Sequence, residues 1–121
     1  MKKTILIADD SESVREVVSF TLINAGYNVL IGVDGEDAMK FLDGKEIHLV
    51  ITDLHMPKKD GIALIKEIRG KAEYQYVPIL FLTTESQAAK KDEAKAAGAT
   101  GWIVKPFVPE KLISTIEKVI R

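Results

Sequence analysis

The stretch Ile47-His48-Leu49-Val50-Ile51-Thr52-Asp53, residues 47–53, decides the fold, because an apolar run predicted as a strand over Ile47–Thr52 ends on a carboxylate. Runs this rich in Ile, Leu and Val, without polar alternation, are typical of strands covered on both faces. Four more runs of this kind occur in the chain: Thr4–Ala8, Tyr27–Ile31, Pro78–Leu82 and Trp102–Val104.

Segments with helical spacing of apolar residues separate these runs. The stripes are Val14, Val17, Val18 and Leu22; Ala38, Phe41 and Leu42; Leu64, Ile65 and Ile68; and Leu112, Ile113, Ile116, Val119 and Ile120. The alanine-rich segment 86–97 is helical by propensity but only weakly amphipathic, so we expect a thinly anchored helix there. Five strand–helix pairs in alternation predict one α/β domain over residues 1–121, a parallel sheet with helices on both faces.

Turn and cap residues agree with this division of the chain. Ser11 is a candidate cap for the first helix, and Gly26 stands where a left-handed glycine commonly ends one. Pro109 fits the first turn of the last helix. We also predict turns at Asp34-Gly35, Asp43-Gly44 and Asp60-Gly61, and an end to the fourth helix at Gly98 and Gly101.

Composition excludes several classes of protein. The 121 residues include no cysteine, which removes disulfide frameworks, thiolate zinc sites and cysteine nucleophiles. A net charge of −1 with interspersed signs does not favour binding to nucleic acid or to an anionic membrane. The apolar run after Met1-Lys2-Lys3 stops at Asp9, too short for a signal peptide or a membrane span, so we expect a cytoplasmic protein.

Polar residues stand where the predicted strands end. Asp9 and Asp10 follow the first strand, Asp53 the third, Thr83 and Thr84 the fourth, and Lys105 the fifth. Because the carboxyl ends of parallel strands meet at one edge of a sheet, we expect these side chains to converge there.

This set of side chains suits a metal-assisted phosphoryl site. Carboxylates that repel each other favour a hard cation, and Mg²⁺ prefers oxygen ligands while keeping positions open for phosphate. Lysine and threonine suit phosphoryl oxygens, and an aspartate can act as a nucleophile toward phosphorus. We therefore predict a Mg²⁺ site with one aspartate as acceptor.

Each residue alone also has a simpler interpretation. Asp9-Asp10 can cap the first helix, Asp53 can be a turn residue, and Lys105 can be a solvated lysine. His48 and His55 have no partners at metal-ligand spacing, so neither is predicted to bind zinc through its side chain. The joint occurrence at four strand ends favours the functional interpretation, because it explains all of these residues together.

The chain resembles the receiver domains of two-component response regulators from end to end. The motifs that carry the resemblance are Ile7-Ala8-Asp9-Asp10, Asp53-Leu54-His55-Met56-Pro57 with Asp60-Gly61, Leu82-Thr83, Gly98-Ala99 and Lys105-Pro106-Phe107. The resemblance implies a flavodoxin-like (βα)5 three-layer sandwich with strand order 2-1-3-4-5, an order for which a member of this family is a standard example.

The resemblance also implies a role for each residue. Asp53 is expected to accept the phosphoryl group, with Mg²⁺ held by Asp9, Asp10, Asp53 and the main-chain carbonyl of His55. Thr83 and Lys105 are expected to contact the phosphoryl oxygens, and the Lys105–Pro106 peptide bond is expected to be cis.

Four further positions are implied to modulate this chemistry. His55 and Glu85 occupy positions that tune hydrolysis, and Thr84 is larger than the alanine often found there. Trp102 stands at the position of a switch aromatic, usually tyrosine or phenylalanine; covering an exposed end of the sheet is an equally good interpretation of it.

The resemblance implies a signalling protein that catalyses its own phosphorylation and dephosphorylation rather than an enzyme acting on other substrates. Its expected partners are a sensor histidine kinase or phosphotransfer protein as donor, and a downstream protein on the face of helix 4, strand 5 and helix 5, as in chemotaxis. We expect a stand-alone, monomeric receiver. The alternative is a receiver excised from a longer regulator, for which a phosphorylation-dependent dimer is the better expectation.

A metal-dependent phosphoesterase or a flavodoxin-like cofactor binder is the rival hypothesis. A cofactor domain needs a glycine- or hydroxyl-rich phosphate loop after the first strand, where this chain has Asp9-Asp10-Ser11-Glu12.

Overall fold

The computed structural model describes residues 2–84 and 88–120. The strands are β1 (Thr4–Ala8), β2 (Asn28–Gly32), β3 (Leu49–Asp53), β4 (Ile79–Thr83) and β5 (Gly101–Val104). The α-helices are α1 (Glu12–Asn24), α2 (Gly35–Met39), α3 (Gly61–Arg69), α4 (Ala88–Ala97) and α5 (Pro109–Val119), and a 3₁₀ turn spans Ala72–Tyr74.

The five strands form one parallel sheet in the order β2-β1-β3-β4-β5, which confirms the predicted flavodoxin-like topology. Side chains alternate between two apolar layers along each strand. In β1, Leu6 packs with the side chains of α2, α3 and α4, whereas Ile5 and Ile7 pack with those of α1 and α5. The domain is therefore a three-layer sandwich, and its sheet is covered on both faces.

Three strands, β2, β3 and β4, begin one or two residues later than predicted, and β5 begins one residue earlier, at Gly101. Pro78 has no N–H group for the ladder, and β4 begins at Ile79. The N–H of Tyr27 donates to the carbonyl of Leu22 at 3.1 Å, closing α1, so β2 begins at Asn28. Only β1 has the predicted limits.

Side-chain caps begin three of the helices. Ser11 accepts from the N–H of Val14, as predicted. Asp34 and Asp60 cap α2 and α3, so two of the predicted turns, Asp34-Gly35 and Asp60-Gly61, are helix starts, whereas Asp43-Gly44 lies in a loop. Gly98, with φ of 117°, ends α4 as predicted, whereas Gly101 is the first residue of β5.

Burial differs from the predicted stripes in α1 and agrees with the prediction for α4. Val18 and Leu22 are buried, but Val17 is 50% exposed, because it lies on the outer side of α1. In α4, Ala94 is the one buried residue among those whose side chains are described. No described helix combines the length and apolar character that a membrane crossing requires.

Candidate functional site

Three carboxylates meet where β1 and β3 end. The two strands pair with Ala8 opposite Thr52, so the residues that follow, Asp9 and Asp53, come side by side. Asp9, Asp10 and Asp53 each offer an oxygen, and these oxygens lie within 4.8 Å of one another. Asp9 and Asp53 are buried, whereas Asp10 is exposed. The predicted convergence of these acids is confirmed.

Asp9 is fixed by its neighbours in a way that leaves one oxygen unsatisfied. The N–H of Ser11 donates to its Oδ1 at 2.8 Å, and Nη1 of Arg15 donates to its main-chain carbonyl at 2.8 Å. Oδ2 is buried and, in the part of the chain that the structure describes, accepts no hydrogen bond. A buried carboxylate oxygen without a donor is costly, so the arrangement calls for a compensating charge.

Burial raises the pKa of the Asp9 carboxyl, and the nearby Asp53 and Asp10 charges act in the same direction. The hydrogen bond from Ser11 and the charge of Lys105 oppose this rise. Burial and repulsion both disfavour the charged form of Asp9, so a bound cation would stabilise that form. Because the three available ligands are carboxylates, the site suits a hard divalent cation.

Lys105 supplies the one cation with described ion pairs to this cluster. Its Nζ lies 3.4 Å from Oδ1 of Asp53 and 3.6 Å from Oδ2 of Asp9. The Lys105–Pro106 peptide bond is cis, and the Lys105 N–H donates to the carbonyl of Thr83 at 2.7 Å. The two Nζ distances place the ammonium group beside Asp53 at the edge of the sheet.

Asp53 itself is held against the start of the following loop. The N–H of Leu54 donates to its Oδ1 at 2.8 Å, and the N–H of Gly61 donates to the carbonyl of Leu54 at 3.0 Å. A Cβ on Gly61 would collide with the Asp53 carbonyl, so this close approach requires glycine. The loop from β3 to α3 is thereby fixed beside the acid.

The comparisons with known proteins agree with this geometry. The model of the response regulator receiver domain matches residues 5–117. The chain belongs to the response regulator receiver domain family. Receiver domains are phosphoacceptor signalling switches that act between histidine kinases and downstream targets, and this chain is such a switch.

Some of the similar proteins have about the length of this chain, and others are about twice as long. CheY1 of Helicobacter pylori, a chemotaxis protein, is 36% identical over 96% of this chain and 95% of its own length. The chemotaxis response regulator CheY4 of Vibrio cholerae has a TM-score of 0.93 at 43% identity, covering 98% of this chain and 99% of that one. The probable transcriptional regulator ycf27 of Porphyridium aerugineum is 37% identical, but this chain spans only 49% of its length.

The other predicted site residues of the receiver surround Asp53 to different degrees. Thr83 is fully buried and follows Leu82, the register partner of Asp53, and its Oγ1 donates to the carbonyl of Thr84 at 3.1 Å. The side chain of His55 is exposed, which leaves it at the rim. Glu85 lies outside the described residues.

Trp102 lies away from the carboxylates, on β5 of the receiver. It is 38% exposed, and its ring lies 6.1 Å from that of Phe81. With Phe107, Val108 and Lys111 it lines a cavity of about 340 Å³ between β5 and α5. This position agrees with the interpretation that Trp102 covers the end of the sheet, and its role as a switch stays a prediction.

Sequence reasoning missed two arginines that organise the receiver. Arg15 holds the carbonyl of Asp9, and Arg69 donates to the carbonyl of Gly98 at the end of α4. No local sequence motif marks either arginine, because each donates to a carbonyl that only the folded chain brings near it.

Proposed function

We propose that Asp53 is the phosphoacceptor of this receiver and that its phosphorylation depends on Mg²⁺. The observation that carries the proposal is the position of Asp53 Oδ1, 3.4 Å from the ammonium of Lys105 and within a cluster of three carboxylates. Asp9, Asp10, Asp53 and the main-chain carbonyl of His55 would hold the ion. When bound, Mg²⁺ offsets the carboxylate repulsion and the negative charge of the phosphoryl oxygens.

The chain's own residues then perform a transfer based on positioning. A carboxylate oxygen of Asp53 attacks phosphorus as the P–N bond of a phosphohistidine breaks, and that electron pair stays on the imidazole of the donor. Lys105, already beside Asp53, stabilises a phosphoryl oxygen, and the Thr83 hydroxyl donates to another. The product is a mixed anhydride, from which water later releases phosphate and restores the carboxylate.

The receiver resets itself at a rate that its neighbouring side chains tune. His55 at the rim and Thr84 beside Lys105 border the path of the attacking water, and Glu85 is assigned the same role from its position in the sequence. The donor is a sensor histidine kinase or a phosphotransfer protein. The output is a protein bound by the monomer on the face of α4, β5 and α5, and the similarity to chemotaxis proteins supports chemotaxis as the setting of that output.

Intact-mass measurement after incubation with acetyl phosphate and Mg²⁺ tests the acceptor. We expect one added phosphoryl group on the wild type and none on Asp53→Asn. Asp43→Asn is the matched control, because Asp43 is an exposed aspartate in another loop, and it is expected to label normally. Undiminished labelling of Asp53→Asn would refute the assignment, and labelling unaffected by EDTA would refute the role of the metal.

A further inference from the structure

We propose that Lys91 and Lys95 are positioning residues that hold the indole of Trp102 beside α4. Both belong to α4, whereas Trp102 belongs to β5. The two ammonium groups lie 5.1 Å and 5.6 Å from the centre of the ring. The proposal rests on the proposed function only where it concerns the response to phosphorylation.

The spacing of the lysines explains why both reach one ring. Residues four apart in a helix lie on the same face, so Lys91 and Lys95 approach the same surface of β5. A cation within about 6 Å of a tryptophan centroid is attracted by the negative face of the ring. Trp102 is partly exposed, yet these contacts give its side chain a defined position.

An aromatic ring of the core, that of Phe81, also helps to define the position of the indole. Phe81 of β4 is fully buried, and its ring lies 6.1 Å from the Trp102 ring with an interplanar angle of 34°. Because Phe81 belongs to the buried core, the lysine contacts and the Trp102 ring join α4 to the buried part of the sheet. The indole is therefore the link between them.

The link matters because little else holds the middle of α4. Ala94 is the one buried residue among the described side chains of the helix. The C-terminal end is held separately, because Nε and Nη2 of Arg69 donate to the carbonyl of Gly98 at 3.0 Å and 2.8 Å. Moving Trp102 away would thus break two cation–π contacts and leave α4 held by the packing of Ala94 and by Arg69 at its C-terminal end.

Quenching of Trp102, the only tryptophan in the chain, measures its position directly. We expect the double variant Lys91→Gln/Lys95→Gln to raise the acrylamide quenching constant about twofold without any phosphodonor, because the indole is released. Lys91→Arg/Lys95→Arg is expected to behave as the wild type, since arginine also stacks on aromatic rings. An unchanged quenching constant in the glutamine variant would overturn the proposal.

Lys90→Gln is the matched control within α4. Lys90 pairs with Glu93 at 3.2 Å, so its loss removes one positive charge from the helix without touching the ring contacts. We expect wild-type quenching from this variant. The same rise in Lys90→Gln as in the double variant would show a general effect of charge on α4 and contradict the positioning role.

Titration with beryllofluoride and Mg²⁺, followed by Trp102 fluorescence, tests the consequence for switching. If Trp102 leaves the lysines when the site is occupied, the glutamine variant binds the mimic roughly three- to tenfold more tightly, because those contacts no longer oppose the change. Equal affinities would overturn this coupling. Failure of the wild type to label at Asp53 would contradict the proposed function and leave the quenching comparison intact.

Discussion

β3 and α4 differ in how they are held in the domain. All five residues of β3 are buried, whereas α4 has one buried residue among its described side chains. The end of β3 carries Asp53 and is fixed by the ladder and by the close approach of Gly61. By contrast, α4 is joined to the rest of the domain by Arg69 and by its own Lys91 and Lys95. It can therefore shift at a low cost in free energy, as elements that respond to a signal must.

The largest expected effect comes from disrupting the close packing of Gly61 against the end of β3. In Gly61→Ala the new methyl group meets the Asp53 carbonyl, and we expect a loss of about 3 kcal/mol in the free energy of unfolding, measured in urea. Gly70→Ala is the matched control, because its methyl would make only ordinary contacts, the nearest at 3.5 Å. Similar losses in both variants would show that the end of β3 is not specially rigid.

Removing the arginine that holds α4 tests the other half of the comparison. Arg69→Met leaves the carbonyls of Gly98 and Val77 without their donor, and we expect a loss of about 2 kcal/mol. Amide hydrogen exchange should accelerate in α4 far more than in β3. Lys66 is exposed in the same helix, so Lys66→Met should change neither the free energy of unfolding nor the exchange rates. Equal acceleration of exchange in β3 and α4 would contradict the difference between these two elements.

The smallest expected effect concerns the charge of the acidic cluster. Because burial raises the pKa of Asp9, the folded state favours its protonated form, and the stability of the metal-free protein falls as the pH rises through that pKa. Asp9→Asn should therefore add about 1 kcal/mol at pH 7, or roughly 4 °C in Tm, and much less near pH 3.

Thermal melts with and without Mg²⁺ provide the control for that variant. The ion should raise the Tm of the wild type and have little effect on Asp9→Asn, which lacks one of the proposed ligands. Asp43→Asn should behave as the wild type at every pH. A destabilised Asp9→Asn at neutral pH would show that the carboxylate is satisfied without a metal.

Much of the fold and the acidic site could be predicted because their determinants are local. Apolar runs covered on both faces define the strands, and strand alternation with helices defines a parallel sheet whose ends meet. Asp9, Asp10, Asp53 and Lys105 therefore came together as predicted. The exact strand limits could not be predicted in the same way. The N–H of Tyr27, for example, donates to a carbonyl of α1 rather than to the sheet, so β2 begins one residue later than its apolar run.

Sequence by itself determined the alternating α/β architecture, the position of the acids and the weak anchoring of α4, since each follows from periodicity and from the order of the elements. The strand order was implied by the resemblance to receiver domains. Only the tertiary structure decided that Val17 faces outward, that Arg69 holds α4 and that two lysines lie over Trp102. These contacts join residues from different elements. Their formation depends on distances that the packed sheet sets and that no local pattern contains.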